Sequence, residues 1–275
     1  MAEGDTIYRT ARVLRAALEG QTVTAVRTTV AQIRGLGPQR LVGQTVAEVE
    51  SRGKHLLLWF APSRLALHSH MMMSGSWHVY RTGQRWDSPE RLARIALTVG
   101  AGESSDQAGR TAVCFGAPVC ELLSTAQVTA HPVLTRLGPD ALDETPDLAE
   151  ARRRLDRLGN TAIGEALLDQ RVIAGIGNVY KSEILFIHGV NPWTAVGELP
   201  EAAREALLDT AVRLLRANAL KGSGARRTTT SGQRGERLHV YGRTGRACPA
   251  CGTAIRSRAQ GAHARRTYWC PRCQG

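Results

Sequence analysis

Four cysteines near the end of the chain have the spacing of metal ligands. They stand as Cys248-Pro-Ala-Cys251 and Cys270-Pro-Arg-Cys273, with eighteen residues between the two pairs. Each C-x-x-C supplies two thiolates from one tight turn, and two such turns facing each other offer the four soft ligands that tetrahedral Zn²⁺ prefers. A redox dithiol would need only one pair. The spacing therefore predicts a closed structural Zn²⁺ site that folds a small module.

A second candidate site lies in the stretch LLDQRVIAGIGNVYKSEILFIHGVNP. Gly175 and Gly177 separate two helical segments, and Asn178 stands where it would cap the second one. Glycines let a backbone turn tightly and approach a ligand closely, and a helix start offers N–H groups and a positive dipole end to a phosphate. An ordinary helix–loop–helix with a capping asparagine explains the pattern equally well.

Three further places in the sequence have residue types that could take part in chemistry or binding. The residues alone do not decide between such a role and an ordinary structural one. The chain opens MAEGDTIYRT, and removal of Met1 would leave the α-amine of Ala2 next to the carboxyl of Glu3. Most chain starts are frayed and inert. Lys54 precedes an apolar strand run, where a lysine is ordinarily solvated. The run Met71–Met73 suits either core filling or a flexible apolar wedge that unstacks bases.

The charge of the chain indicates a polyanionic partner. The sequence has 36 Lys+Arg against 24 Asp+Glu, a net charge of +12, and its last 55 residues hold twelve basic residues against one acid. A segment almost without acids repels itself unless an anion is nearby, so nucleic acid is the expected partner.

Nothing in the sequence predicts a membrane span or a secretory leader. A bacterial-type cytoplasmic protein associated with the nucleoid is therefore expected. In a reducing compartment, Cys114 and Cys120 are expected to be buried thiols.

The elements that position these residues change character along the chain. A short helix, capped by Asp5 and ending at Gly20, has apolar residues at intervals of four, three and four: Ile7, Ala11, Leu14 and Leu18. Short β-branched runs then continue to about Leu123 and indicate a two-layer β-sandwich. Helical text follows, then a basic loop at Gly222–Arg237, then the cysteine module. We predict an α+β fold with a sandwich at 1–124, a helical domain at 125–236 and a zinc-finger β-hairpin at 237–275.

Seven segments, in their order along the chain, resemble the formamidopyrimidine-DNA glycosylase / endonuclease VIII family. They are EGDT, GKHLLL, MSGSW, HPVLTRLGPDAL, LLDQRVIAGIGNVYKSEILF, VYGRTGRACPACGTAI and YWCPRCQG. The resemblance covers essentially the whole chain and is nearest to the endonuclease VIII branch. It implies a helix–two-turn–helix in the helical domain. It also implies a base-excision-repair DNA glycosylase with AP lyase activity, whose partner is double-stranded DNA containing damaged bases or abasic sites. A monomer is expected.

The resemblance implies roles for individual residues. The α-amine of Ala2 would attack C1′ of the damaged nucleotide to form a Schiff base, and Glu3 would protonate the opening sugar. An α-amine has a pKa of about 7.7 to 8.0, so a usable fraction is neutral near pH 7. The remaining roles are contacts with the lesion's phosphates and filling of the gap left by the flipped base. Lys54 would hold the phosphate of the damaged nucleotide and support catalysis. The other phosphate contacts would be made by Asn178 and by Arg265 or its neighbour Arg266, and Met73 would fill the gap.

Two departures from the family pattern bear on function. The family has proline at position 2, and this chain has Ala2, whose primary amine gives an imine that must be protonated to act as the same electron sink. We therefore hypothesise a weakened or trapped glycosylase that prefers oxidised pyrimidines, whether the alanine is natural or engineered. The alternative is a non-enzymatic protein that binds damaged DNA. The spacing between the cysteine pairs is also slightly longer than usual, which leaves the choice between Arg265 and Arg266 open.

Overall fold

The computed structural model describes residues 2–100, 109–222, 227–230 and 236–275. Most of the loop predicted at Gly222–Arg237 therefore lies outside the described residues. The chain forms two compact units, of which one contains Ala2 with Thr6–Thr135 and the other contains Glu3–Asp5 with the described part of 136–275. Among the described helices, none combines the length and the apolar character that crossing a membrane requires.

The first unit is a β-sandwich with a leading helix, as predicted. Two four-stranded antiparallel sheets have the strand orders β2-β3-β4-β8 and β1-β6-β7-β5. Its helices are α1 (Gly4–Leu18), α2 (Ala31–Leu36) and α3 (Thr125–Thr129). Its strands are β1 (Val23–Thr28), β2 (Thr45–Arg52), β3 (His55–Ala61), β4 (Leu65–His70), β5 (Ser76–Arg81), β6 (Ala93–Val99), β7 (Arg110–Phe115) and β8 (Val119–Ser124).

Helix α1 follows the predicted apolar spacing but not the predicted cap. Its apolar stripe is at most 1% exposed and packs into the core of the sandwich: Ile7, Ala11, Leu14 and Leu18. The cap prediction for Asp5 is wrong, because α1 already begins at Gly4 and the Asp5 carboxylate instead pairs with Arg227. A buried carboxylate needs a charged partner more than the helix needs a cap.

The second unit contains the predicted helices and the cysteine hairpin. Its helices are α4 (Leu148–Asp156), α5 (Ile163–Ala166), α6 (Asn178–Ile187) and α7 (Glu201–Ala219). The helices share one apolar core, in which Tyr180, Ile184 and Leu215 are completely buried. Strands β9 (Arg256–Gln260) and β10 (Arg265–Trp269) pair antiparallel. The α+β fold class is thereby confirmed, whereas the three domain boundaries stay a prediction.

Candidate functional site

The four predicted metal ligands lie together. Their Sγ atoms all fall within 4.8 Å of one another. The Sγ atoms of Cys251 and Cys270 are 3.5 Å apart, and those of Cys248 and Cys273 are 3.9 Å apart. A tetrahedral metal with bonds of about 2.3 Å to sulfur sets its ligands about 3.8 Å apart, so the four thiols fit such an ion. The distances are far too long for disulfide bonds of about 2.05 Å.

Glu3 lies at the start of helix α6. Its Oε1 accepts the backbone N–H of Val179 at 2.9 Å, and its Oε2 accepts that of Tyr180 at 3.4 Å. The side chain is completely buried. The helix dipole and these two N–H groups compensate a carboxylate that burial would otherwise penalise. Residues Glu3–Asp5 are therefore an ordered part of the second unit and not a frayed segment.

The glycines of the connection make this approach possible. A Cβ on Gly177 would lie 2.3 Å from Cδ of Glu3, and a Cβ on Gly4 would lie 2.9 Å from Cα of Gly175. Gly4 also donates its N–H to the carbonyl of Gly175 at 2.9 Å, and Gly175 has a φ of 105°. The glycines thus allow a close approach by the chain's own Glu3, whereas the predicted approach to a ligand stays a prediction.

Two interpretations of the α6 start need correction. The first N–H groups are not open to a phosphate, because Glu3 accepts those of Val179 and Tyr180. Asn178 is not the cap either, since Gly177 precedes the helix and Asn178 is its first residue. The Asn178 side chain instead donates from Nδ2 to the carbonyl of Arg266 at 2.7 Å. Asn178 also makes a side-chain hydrogen bond with Tyr241. Its buried Oδ1 has no hydrogen-bond partner among the described residues.

Strand β10 presents the two candidate arginines on opposite faces. Side chains alternate along a strand, so Arg265 shares a face with Thr267 while Arg266 shares the other with Tyr268. Arg266 donates from Nη1 to Ser257 at 3.1 Å. Among the described residues, the exposed Arg265 side chain makes no hydrogen bond or ion pair. Ala264, just before it, has a φ of 46°, a conformation that side chains other than glycine rarely adopt.

Two buried charged residues of α6 escaped the sequence reasoning. Lys181 is completely buried and donates from Nζ to Thr267 Oγ1 at 2.6 Å. Burial lowers its pKa to about 7, and the Glu3 carboxylate opposes that fall. Glu183, also completely buried, accepts the backbone N–H groups of His239, Val240 and Tyr241 at 2.7 to 2.9 Å. The only sequence signal was a charged pair, K-S-E, inside an otherwise apolar helix.

Asp5 and Arg227 form a second buried pair in the same unit. Arg227 donates from Nε to Asp5 Oδ2 at 3.0 Å, and its guanidinium lies 4.9 Å from the ring centroid of Tyr180. Asp5 is completely buried. The pair joins Arg227, a residue of the predicted basic loop, to Asp5 within the second unit.

The first unit holds the remaining predicted residues. Ala2 is half-buried and packs against the sandwich core. Lys54 is half-buried in the turn between β2 and β3. Of the three methionines, Met71 is core at 2% exposure, whereas Met72 and Met73 are 47% and 65% exposed. Core filling is therefore confirmed for Met71, whereas an apolar wedge at the exposed Met72 and Met73 stays a prediction.

A histidine network of the first unit was also missed. His55 Nδ1 lies 2.9 Å from His68 Nε2, and His68 Nδ1 lies 2.8 Å from Glu121 Oε1. His131 Nε2 lies 3.2 Å from the same oxygen. Since a carboxylate only accepts, His68 donates from Nδ1 to Glu121 and His55 donates from Nδ1 to His68.

The histidine network does not have the protonation of a metal site, although His68, Glu121 and His131 offer atoms within 4.8 Å of one another. His131 Nδ1 accepts the N–H groups of Val133 and Leu134, both at 3.2 Å. Its Nε2 therefore carries the hydrogen and has no lone pair for an ion. Burial lowers the pKa of His55 to about 2 and that of His70 to about 4, so these rings are neutral.

Cys114 and Cys120 are buried thiols of the same unit, as expected. A hydrogen bond with Cys120 and burial raise the pKa of Cys114.

Comparisons with known proteins agree along the whole chain. The model of the formamidopyrimidine-DNA glycosylase N-terminal domain matches residues 1–110, and that of the H2TH domain of the same enzyme matches residues 137–230. A Streptomyces coelicolor protein named "Probable endonuclease 8 2" is 45% identical, covering 100% of this chain and 94% of the relative. The "DNA-(apurinic or apyrimidinic site) lyase Nei2" of Mycolicibacterium smegmatis is 38% identical over 100% of this chain and 99% of its own length.

A solved structure has the same fold. It is a complex between Lactococcus lactis Fpg and DNA containing an abasic site, with a TM-score of 0.77 and 27% identity over 100% of both chains. The domain matches, the relatives and the fold converge on one conclusion. The chain belongs to the formamidopyrimidine-DNA glycosylase family, and the relatives named here place it beside the family's endonuclease 8 members.

Proposed function

We propose that this protein is a DNA glycosylase with AP lyase activity that excises oxidised bases, pyrimidines above all, from double-stranded DNA. The observation that carries the proposal is Glu3, a completely buried carboxylate held by backbone N–H groups immediately after the residue whose amine would react. An inert chain start would not be expected to bury a carboxylate at a helix terminus.

The proposed reaction assigns one bond change to each group. The α-amine of Ala2 bonds to C1′ and loses one proton, and the damaged base leaves with the electrons of the glycosidic bond and takes up a proton. The C1′–O4′ bond then breaks as Glu3 gives a proton to O4′. The protonated imine then draws electrons from C2′, which loses a proton, and the 3′ phosphate departs. Oε1 of Glu3 makes the shorter contact, at 2.9 Å, so Oε2 at 3.4 Å is the oxygen freer to carry the proton.

DNA binding in this proposal uses the residues to which the resemblance assigns it. Lys54 and Asn178 would contact the lesion's phosphates, and Met73 would fill the gap left by the flipped base, as its exposure permits. Between the two arginines we favour Arg265, because Arg266 already donates to Ser257. The proposal leaves the protein monomeric and places it with bacterial DNA in the cytoplasm.

We further propose that the four cysteines hold Zn²⁺. Four thiolates and no carboxylate or water ligand form the donor set of a closed structural zinc site. The ion would fold the hairpin that carries Arg265 and would take no part in bond breaking.

Borohydride trapping tests the amine. Duplexes with thymine glycol, 5-hydroxyuracil or 8-oxoguanine are incubated with protein and borohydride, and the covalent complex is mapped by mass spectrometry. Trapping at Ala2 is expected with the oxidised pyrimidines. An Ala2→Pro variant should trap and cleave faster, because its iminium keeps its charge without protonation. Equal rates would contradict the weakened activity, and preference for 8-oxoguanine opposite C would contradict the substrate assignment.

Two variants separate the enzyme from a protein that only binds damage. Glu3→Gln should lower base excision by about 10²- to 10⁴-fold, the usual size of general-acid catalysis, with lesion affinity kept. A chain extended before Ala2 has no free amine there and should lose turnover but not binding. A lesion-binding protein without any trapping or cleavage would instead be the non-enzymatic alternative.

A further inference from the structure

A chain of buried hydrogen bonds runs from helix α6 through both strands of the cysteine hairpin. Lys181 Nζ donates to Thr267 Oγ1 at 2.6 Å, and Thr267 Oγ1 donates to Gln260 Oε1 at 2.6 Å. Gln260 Nε2 then donates to the carbonyl of Pro192 at 2.8 Å. The three side chains are 0%, 0% and 6% exposed. Each of these hydrogen bonds has a defined donor and acceptor, so together they hold Lys181, Thr267 and Gln260 in a single arrangement.

Two of these hydrogen-bonded residues, Gln260 and Thr267, are neighbours of the exposed Arg265 in the hairpin. Gln260 lies directly opposite Arg265 in the hairpin, and Thr267 is two residues further along on the same face. The carbonyl of Arg266 is held by Asn178 Nδ2 at 2.7 Å. The backbone of residues 265 to 267 is thus fixed to the first turn of α6 at two points. Arg265 extends from this segment with its guanidinium exposed.

Burying the amine of Lys181 in the core is energetically unfavourable. An apolar side chain would fill the same place without the cost of desolvating an amine, as the lowered pKa of Lys181 reflects. What the amine supplies, and an apolar residue would not, is a directed bond to Thr267. We propose that Lys181, Thr267 and Gln260 are positioning residues that fix Arg265 for a DNA phosphate. The inference rests on the proposed function, which assigns Arg265 to that contact.

Positioning has a defined thermodynamic signature. An arginine on a fixed backbone loses less conformational entropy when it binds a phosphate. Breaking the hydrogen bonds that join Lys181, Thr267 and Gln260, called the relay below, should therefore weaken the same contact that removal of Arg265 destroys. The two effects must then be non-additive. One phosphate contact accounts for about one unit in the slope of log K against log salt.

A double-mutant cycle tests the relay with the whole chain. Thr267→Val keeps the side-chain shape and removes the hydroxyl, and affinity is measured for a duplex with a tetrahydrofuran abasic analogue between 50 and 200 mM salt. From a phosphate contact of about 1.4 kcal/mol, Arg265→Ala should weaken binding about tenfold. Thr267→Val should cost about fivefold, and the double variant about tenfold rather than fiftyfold. Lys181→Met should behave as Thr267→Val, and Thr267→Ser should restore the wild-type affinity.

Controls distinguish positioning from damage to the fold. Ser257→Ala removes a hydroxyl from the opposite face of the hairpin and should be additive with Arg265→Ala. Metal content and the unfolding temperature identify a variant whose module has unfolded, and in that case the cycle is completed with Lys181→Met.

A fiftyfold loss in the double variant, or no loss in Thr267→Val, overturns the relay. Coupled binding without borohydride trapping would keep the relay and overturn the proposed chemistry, and a wild-type protein without salt-dependent DNA binding would overturn both.

Discussion

Gly177 and Glu3 constrain each other at the scale of single residues. The carboxylate reaches the N–H of Val179 because no Cβ stands in its way at position 177. The glycines alone predicted that the backbone could come close to a ligand at this point. The sequence could not predict that Glu3 packs against Gly177, because these two residues lie 174 positions apart and no local pattern links them.

Gly177→Ala should therefore uncouple catalysis from binding. The new Cβ would lie 2.3 Å from Cδ of Glu3, which forces the carboxylate to move. A displacement of about 1 Å at a reacting group costs about 100-fold, so single-turnover excision should fall by that factor with lesion affinity within about threefold. Gly159→Ala is the matched control, since its Cβ would meet nothing nearer than the Asp156 carbonyl at 3.7 Å. Unchanged excision in Gly177→Ala would show that the position of Glu3 does not limit the reaction.

Helix α6 is the element on which the parts of the second unit converge. Its N-terminus holds Glu3, its first turn holds the hairpin through Asn178 and Lys181, and its middle holds residues 239–241 through Glu183. The sequence predicted the helix and its glycine-rich entry. The three polar anchors were not predictable, because a buried charge is recognised only by partners that are distant in the sequence.

Glu183→Gln should loosen the cysteine module. Both oxygens of Glu183 accept backbone N–H groups, and an amide would turn a donor toward one set of them. The expected loss is about 2 to 3 kcal/mol in the stability of this module, measured as faster transfer of the proposed Zn²⁺ to a chelator. Glu198→Gln, at an exposed position, should change the rate little. Equal rates in the two variants would contradict the anchoring role.

The whole molecule combines two units that sequence patterns predict unequally. The alternating apolar runs predicted the sandwich, because strand periodicity is a local signal. The spacing of the four cysteines likewise predicted the hairpin. The histidine network was invisible because its members come from β3, β4, β8 and the segment after α3, which meet only in the folded sheet.

Acid should destabilise the first unit through this network. Burial, then the nearby His70, lowers the pKa of His55 to about 2, against about 6.5 in the unfolded chain. Above pH 6.5 the difference has no effect. Below it the unfolded chain takes up a proton that the folded chain refuses, so stability falls by about 2 kcal/mol between pH 7 and pH 5.

Hydrogen exchange in β3 and β4 measures this loss. His55→Asn can still donate to His68 but does not titrate, and it should remove that part of the pH dependence. His263→Asn, at the exposed hairpin tip, should not. A pH dependence that persists in His55→Asn would mean that other groups cause it.

The chain start also has a consequence for how the protein is made. Glu3 bonds to a residue 176 positions later, and Asp5 to one 222 positions later. On the ribosome, the first residues to emerge thus wait for most of the polypeptide before their carboxylates find partners. A nascent or prematurely terminated chain presents an amine without its held acid. In the proposed reaction, an unfinished chain therefore lacks the held carboxylate on which sugar protonation depends.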